Sequence, residues 1–116
     1  MKLKEIKEIL NAECLTDEDC LDHEVDFAFG SDLMSDVLAF VDENTLLLTG
    51  LVNPQVIRTA EMMDINQIIF VRGKRPSDST VRLAKANGIA LLATRDILFT
   101  ACGKLYEKGL RGVSIQ

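Results

Sequence analysis

Hydrophobic positions along this chain follow two rhythms: short unbroken apolar runs, and longer stretches in which apolar residues recur every three or four positions. The first rhythm marks buried strands and the second amphipathic helices. Leu3, Ile6 and Leu10 recur at helical spacing among Lys and Glu, which predicts a short first helix ending near Asn11. From Glu13 to Asp26 there are seven acids and no Lys or Arg, interrupted by Cys14, Leu15, Cys20, Leu21 and Val25. That pattern predicts a short strand and then an exposed connection. Val25, Phe27 and Phe29 alternate with Asp26 and Ala28 in the two-residue period of a strand with one buried face, closed by Gly30. Ser31 or Asp32 is positioned to cap a helix with Met34, Val37, Leu38 and Val41 inward, stopped by Asp42-Glu43-Asn44.

The apolar run Thr45 to Leu48 predicts a buried strand ending at Thr49-Gly50. Asn53 before Pro54 is a helix start, since the Asn side chain can accept from a free N–H and Pro suits the first helical position. Val52 and Ile57 are spaced for a hydrophobic staple across that cap. The helix should run to Met63 or Asp64 with Val56, Ile57, Ala60 and Met63 inward, and Ile68 to Val71 is the next strand. A cationic glycine loop follows, Arg72-Gly73-Lys74-Arg75-Pro76, and then Ser77 or Asp78 caps a helix that Asn87-Gly88 ends. Ile89 to Ala93 is another strand, Thr94 and Asp96 offer an N-cap, and Ile97, Ala101 and Leu105, beside Leu98 and Cys102, stripe a last helix stopped near Gly109. Val113 to Ile115 is a candidate edge strand.

Strands alternating with helices through short loops imply one α/β domain spanning residues 1–116, three-layered, with a mostly parallel sheet. Four loops then gather on the rim at the C-terminal strand ends: Gly30-Ser31-Asp32, Thr49-Gly50 to Asn53, Arg72 to Ser77, and Thr94 to Asp96. In open α/β sheets this rim holds ligands, and free loop N–H groups with a helix start favour anions there.

Composition narrows the picture. A chain of 116 residues with 47% hydrophobic and 27% charged residues supports one globular core, and the absence of Trp leaves that core to aliphatic side chains. No apolar stretch has the length of a membrane span, and Met1 to Leu10 lacks a signal-peptide pattern, so a cytoplasmic location is expected. Residues 1–57 carry 3 Lys/Arg against 13 Asp/Glu, whereas residues 58–116 carry 10 against 5. The acidic first half argues against duplex nucleic acid as a partner, and the basic second half suits a small phosphate or carboxylate.

Candidate chemistry is sparse. Arg72, Lys74 and Arg75 around Gly73 suit a phosphate through charge-assisted hydrogen bonds, with Ser77 at the helix start behind them. No Gly-x-x-x-x-Gly-Lys-Ser/Thr loop is present, which removes the centre of a kinase or NTPase reading. Cys14, Cys20 and His23 stand at C-x5-C-x2-H spacing, which matches no metal-ligand pattern, and Cys102 falls on an apolar helix stripe. Asp32 and Asp36 form an acidic first turn, ordinary dipole compensation. With no Ser/His or Cys/His pair at useful spacing, no catalytic residue, metal or cofactor is assigned.

The order of elements from Thr45 to Ala101 resembles the DRTGG domain: a strand and Gly, a helix, a strand ending in a Gly loop followed by Pro, a helix, a strand ending in Thr, and an Asp helix start closing with Thr-Ala. The chain departs from the pattern that names that family. Asn53-Pro54-Gln55 replaces its Asp-Arg, and its Thr-Gly-Gly loop becomes Val71-Arg72-Gly73. The resemblance implies a fold like the N-terminal domain of HPr kinase and a regulatory or binding role, commonly as a dimer. Such domains occur beside CBS domains in certain pyrophosphatases, before a phosphotransacetylase domain, and as stand-alone proteins of anaerobes, some labelled hydrogenase-related.

The leading expectation is thus a non-enzymatic regulatory module, cytoplasmic and homodimeric, that binds a small anionic metabolite, a nucleotide foremost. Arg72, Gly73, Lys74 and Ser77 would hold the anion, and Thr49, Asn53, Thr94 and Asp96 would line the pocket. The alternative is a protein-interaction accessory subunit of a redox or hydrogenase-related complex, with no ligand, whose contact is the Glu13 to Asp26 stretch or an exposed apolar helix face. An enzyme on this fold ranks last.

Overall fold

A computed structural model describes residues 1–41 and 44–114 of the chain. The elements are α1 (Leu3–Ile9), β1 (Glu13–Cys14), a 3-10 turn (Glu18–Asp22), β2 (Phe27–Gly30), α2 (Met34–Phe40), β3 (Thr45–Thr49), α3 (Pro54–Met62), β4 (Gln67–Phe70), α4 (Asp78–Ala86), β5 (Ala90–Ala93), α5 (Leu98–Glu107) and β6 (Arg111–Gly112). They form one sheet of order β1-β5-β4-β3-β2-β6, parallel except for β1, which runs antiparallel to β5.

The apolar runs explain this order. Every residue of β3, β4 and β5 is buried, as central strands covered on both faces must be. Their side chains divide by alternation. Leu46, Leu48, Ile69 and Leu92 join Leu3, Ile6 and Leu10 of the first helix and Ala101 and Leu105 of α5 in one core. Leu47, Ile68, Phe70 and Leu91 join Val37, Val56, Ile57, Ala60 and Ala84 of α2, α3 and α4 in the other. Since β2, β3, β4 and β5 are laid down side by side in one direction, right-handed crossovers put α2, α3 and α4 on the same face. The helix after β5 then crosses back over the opposite face to β6, so the helices that follow the adjacent strands β4 and β5 lie on opposite faces. That change of face positions the site.

Several local expectations are corrected. Neither Ser31 nor Asp32 caps α2, whose N-cap is Leu33, because the Asp32 carboxylate accepts instead from the Thr49 hydroxyl (3.0 Å) and the Gly50 N–H (2.7 Å) on the neighbouring strand. Asn53 precedes Pro54 at the start of α3 but makes no side-chain cap bond. The last helix has Ile97 as its N-cap, since Thr94 and Asp96 lie in the loop before it with their side chains bonded elsewhere. Ser77 does cap α4, accepting from the Thr80 N–H (3.3 Å). Phe29 packs on the second core while Phe27, at the start of β2 beside the two-residue β6, is 42% exposed. Leu38 and Ile97 are exposed as well, their helices being covered on one side only. The last strand is Arg111–Gly112 rather than Val113 to Ile115; Ile115 lies outside the described residues, as does the Asp42-Glu43 helix stop.

Candidate functional site

After Phe70 the chain leaves the sheet through buried Val71 and enters the left-handed region at two successive residues, Arg72 (φ 62°) and Gly73 (φ 70°). Gly adopts that conformation freely; Arg does so only when its surroundings hold it there. Here they do. The Arg72 N–H donates to the Asp96 carbonyl (2.8 Å), the Gly73 N–H to the Thr94 carbonyl (3.0 Å), and the Lys74 N–H to the Val71 carbonyl (3.2 Å). The loop after β4 is thus stitched to the loop after β5. The expectation of free N–H groups is corrected for Arg72, Gly73 and Lys74, whose donors are spent, two on the neighbouring loop and one within the turn. At this turn, affinity for anions must come from side chains.

A second wall comes from the opposite end of the sequence. Thr94, 3% exposed, donates its hydroxyl to the Leu10 carbonyl (2.9 Å) and accepts from the Asp96 N–H (3.3 Å). This bond ties the end of the first helix to the rim. Asn11 turns through φ 48° and delivers the chain to β1, where Glu13 pairs with Ala93 and Cys14 with Leu92. The added edge strand therefore brings Asn11 and Glu13 beside the C-terminal end of β5.

Between these walls opens a cleft of about 570 Å³, within the usual range for small-molecule sites. Its charged lining is Arg72, Arg75 and Arg95 against Glu13, and Gly73, Ala93, Thr94 and Asn11 complete it. It lies at the ends of β4 and β5, the adjacent strands whose following helices depart to opposite faces, which is where open α/β sheets bind ligands. Arg75 and Glu13 form an ion pair across it. A hydrogen bond from the Arg75 guanidinium, and then its charge, hold the Glu13 carboxyl below the usual glutamate value, and the guanidinium is raised in return.

Of the eight residues expected from the sequence, three line this cleft: Arg72, Gly73 and Thr94. Lys74 is exposed beside it, and Ser77 is engaged at the start of α4 with Ser79 and Thr80. Asp96 supplies the carbonyl that holds Arg72 while its carboxylate pairs with Lys104 (2.8 Å). Thr49 is buried further along the rim, bonded to Asp32, and Asn53 is exposed there. The two parts of the rim meet through Arg72: a Cβ built on Gly50 would come within 2.5 Å of its Nη2 atom. Asn11, Glu13 and Arg95 were missed by the sequence reading. Arg95 adjoins Thr94 at a legible strand end and was open to discovery; the other two arrive through a long-range strand pairing that no local pattern announces.

Burial pushes the Cys102 thiol up, and burial followed by the proximity of Cys14 pushes Cys20 up, the opposite of what a reactive thiolate needs. His23 faces Gln67, with Nδ1 and Oε1 3.3 Å apart. Among the described residues no group of three His, Cys, Asp or Glu is placed to hold a metal, and no helix is long and apolar enough to cross a membrane.

The sequence profile of the DRTGG domain matches residues 5–107. Among solved structures, the chain is similar to the CBS and DRTGG domains of the regulatory region of Clostridium perfringens pyrophosphatase, crystallised in complex with the activator diadenosine tetraphosphate. The two share 20% sequence identity with a TM-score of 0.77, over 90% of this chain and 45% of that one. The likeness is one of fold, and the chain spans under half of that regulatory region. No curated protein matches the sequence.

Proposed function

The chain belongs to the DRTGG domain family, and from that premise we propose that it is a regulatory module, not an enzyme, which binds a small anionic ligand in the cleft between the loops after β4 and β5. The observation that carries this reading is the convergence of Arg72, Arg75 and Arg95 on a cleft of about 570 Å³ at the point where the chain changes face. Guanidinium groups match phosphate oxygens in geometry as well as charge. Nucleotides are the first class to test, since a pyrophosphatase regulatory region that contains a domain of this fold is complexed with diadenosine tetraphosphate.

In this reading the Arg72 guanidinium holds the anion, Gly73 shapes the turn that presents it, and Thr94 lines the floor. Arg75 and Arg95 join them, and Lys74 adds positive potential at the mouth. Asp96 and Thr49 act from behind, the first through its carbonyl on Arg72 and the second through Asp32 at the neighbouring strand end. Ser77 fixes the start of α4, and Asn53 borders the rim. A cytoplasmic location and a homodimer complete the reading; light scattering on the purified protein tests the latter.

A thermal-shift screen against AMP, ADP, ATP, dinucleotides, acetyl phosphate and phosphate is the direct experiment. A ligand at a hundred times its dissociation constant stabilises by about 2.7 kcal/mol, roughly 10 °C for a domain of this size. A clear shift confined to nucleotides supports the module, and a flat screen at millimolar ligand contradicts it. A second reading, a protein-interaction accessory subunit, draws on the exposed apolar side chains Phe27, Leu33, Leu38 and Phe40 in the β2–α2 segment. It predicts that Leu33→Asp with Leu38→Asp abolishes partner capture in a protein whose ligand screen is flat.

A further inference from the structure

Among the described residues that line the cleft Glu13 is the one acid, and its position follows from β1. That strand has two residues, pairs antiparallel with β5 at the sheet edge, and sets the Glu13 carboxylate against the guanidinium of Arg75, 62 residues further on. Both side chains are more than half exposed, 61% for Glu13 and 56% for Arg75. An ion pair so open to water adds little to folding, so stability gives no reason for an acid in a cleft otherwise built from arginines. Chemistry offers one. A carboxylate and a phosphate present similar paired oxygens to the same guanidinium fork.

We propose that Glu13 is a tethered competitor, which occupies Arg75 while the cleft is empty and which an anionic ligand must displace. This inference rests on the reading of the cleft as an anion site. It also narrows the ligand class. A monocarboxylate exchanges one carboxylate for another on Arg75 and gains little. A polyphosphate replaces Glu13 on Arg75 while its remaining charges meet Arg72 and Arg95, so the exchange runs in its favour. None of the described residues lining the cleft is aromatic, so a nucleobase has no aromatic ring to stack on there and the phosphate chain carries most of the recognition. Inorganic tripolyphosphate and ATP are therefore expected to bind alike, and acetate weakly.

Calorimetric titration of the full chain with sodium tripolyphosphate, at fixed salt and neutral pH, tests the exchange in four proteins: wild type, Glu13→Gln, Arg75→Gln and the double variant. Glu13 and Arg75 are exposed, and circular dichroism verifies that the variants are folded. The expected result is about two- to fivefold tighter binding in Glu13→Gln, from release of an exposed ion pair, and no further gain from Glu13→Gln once Arg75→Gln is present. Equal tightening in both backgrounds would show that Glu13 acts only through its general field and overturns the exchange. Wild-type binding with no change in Glu13→Gln also overturns it, while leaving the anion site itself intact. Absence of binding in all four proteins removes both.

Discussion

Thr94 was expected from the sequence as a pocket residue, and the geometry gives it a second task that mutation can isolate. Its hydroxyl donates to the Leu10 carbonyl at 2.9 Å and accepts from the Asp96 N–H at 3.3 Å, in a residue 3% exposed. Thr94→Val keeps the shape and removes the hydroxyl. The Leu10 carbonyl and the Asp96 N–H then lose their partner in a nearly dry place, at a cost of about 1–3 kcal/mol. For a chain of this length 1 kcal/mol corresponds to roughly 4 °C, so the melting temperature should fall by about 4–12 °C. Thr94→Ser is the control: it keeps the hydroxyl and removes one methyl group, worth about 0.8 kcal/mol. Urea denaturation of the two variants, with equal slopes, measures the difference. If Thr94→Val unfolds at the same urea concentration as wild type, or later than Thr94→Ser, the hydroxyl does not hold the first helix to the rim. The account of the second wall would then fail.

Two further outcomes follow from contacts at the rim. A Cβ on Gly30 would come within 2.8 Å of the Cys102 sulfur and 3.1 Å of Leu98 Cδ1, so Gly30→Ala should destabilise by about 1–3 kcal/mol through overpacking, and Cys102→Ala in the same chain should recover most of it; differential scanning calorimetry decides. The carboxyl of Glu13 is held below the ordinary glutamate value by Arg75, so its pairing is present above the unfolded glutamate pKa and is lost as pH falls through the lowered folded one. Its carbon resonance should therefore titrate below the ordinary glutamate range, and move up towards that range in Arg75→Gln; an unmoved midpoint would mean the pair does not persist in solution.

The sequence carried the interior of this fold further than its edges. Unbroken apolar runs make β3, β4 and β5 legible because a strand covered on both faces has no polar side to obscure it. The start of α4 was legible for a different reason: Ser77 has a local partner, the Thr80 N–H, and local chemistry needs no knowledge of the rest of the chain. Asp32 shows the contrary case. Its local role as a cap lost to partners on β3, which only the parallel pairing of β2 with β3 brings near. The candidate site divides along the same line. Arg72 and Gly73 announce themselves as a basic glycine turn after a strand, whereas Glu13 enters the cleft through a strand pair 80 residues apart in sequence, and the loop donors are consumed by a neighbour no local pattern identifies. The apolar rhythm supplied the order of elements and that order carried the family resemblance, but the departures at Asn53-Pro54-Gln55 and at Val71-Arg72-Gly73 fall within the rim, so the site has to be argued from this chain's own side chains.

The measurement closest to the central claim is calorimetric titration of ATP into wild type and into Arg72→Gln/Arg95→Gln, at one salt concentration. Both arginines are exposed and their replacement should leave the melting temperature within a few degrees of wild type. If the cleft is the anion site, the double variant loses at least about tenfold in affinity, because two charge-assisted contacts are gone. Equal affinity in the two proteins, with both folded, would contradict the claim and move the ligand elsewhere on the molecule.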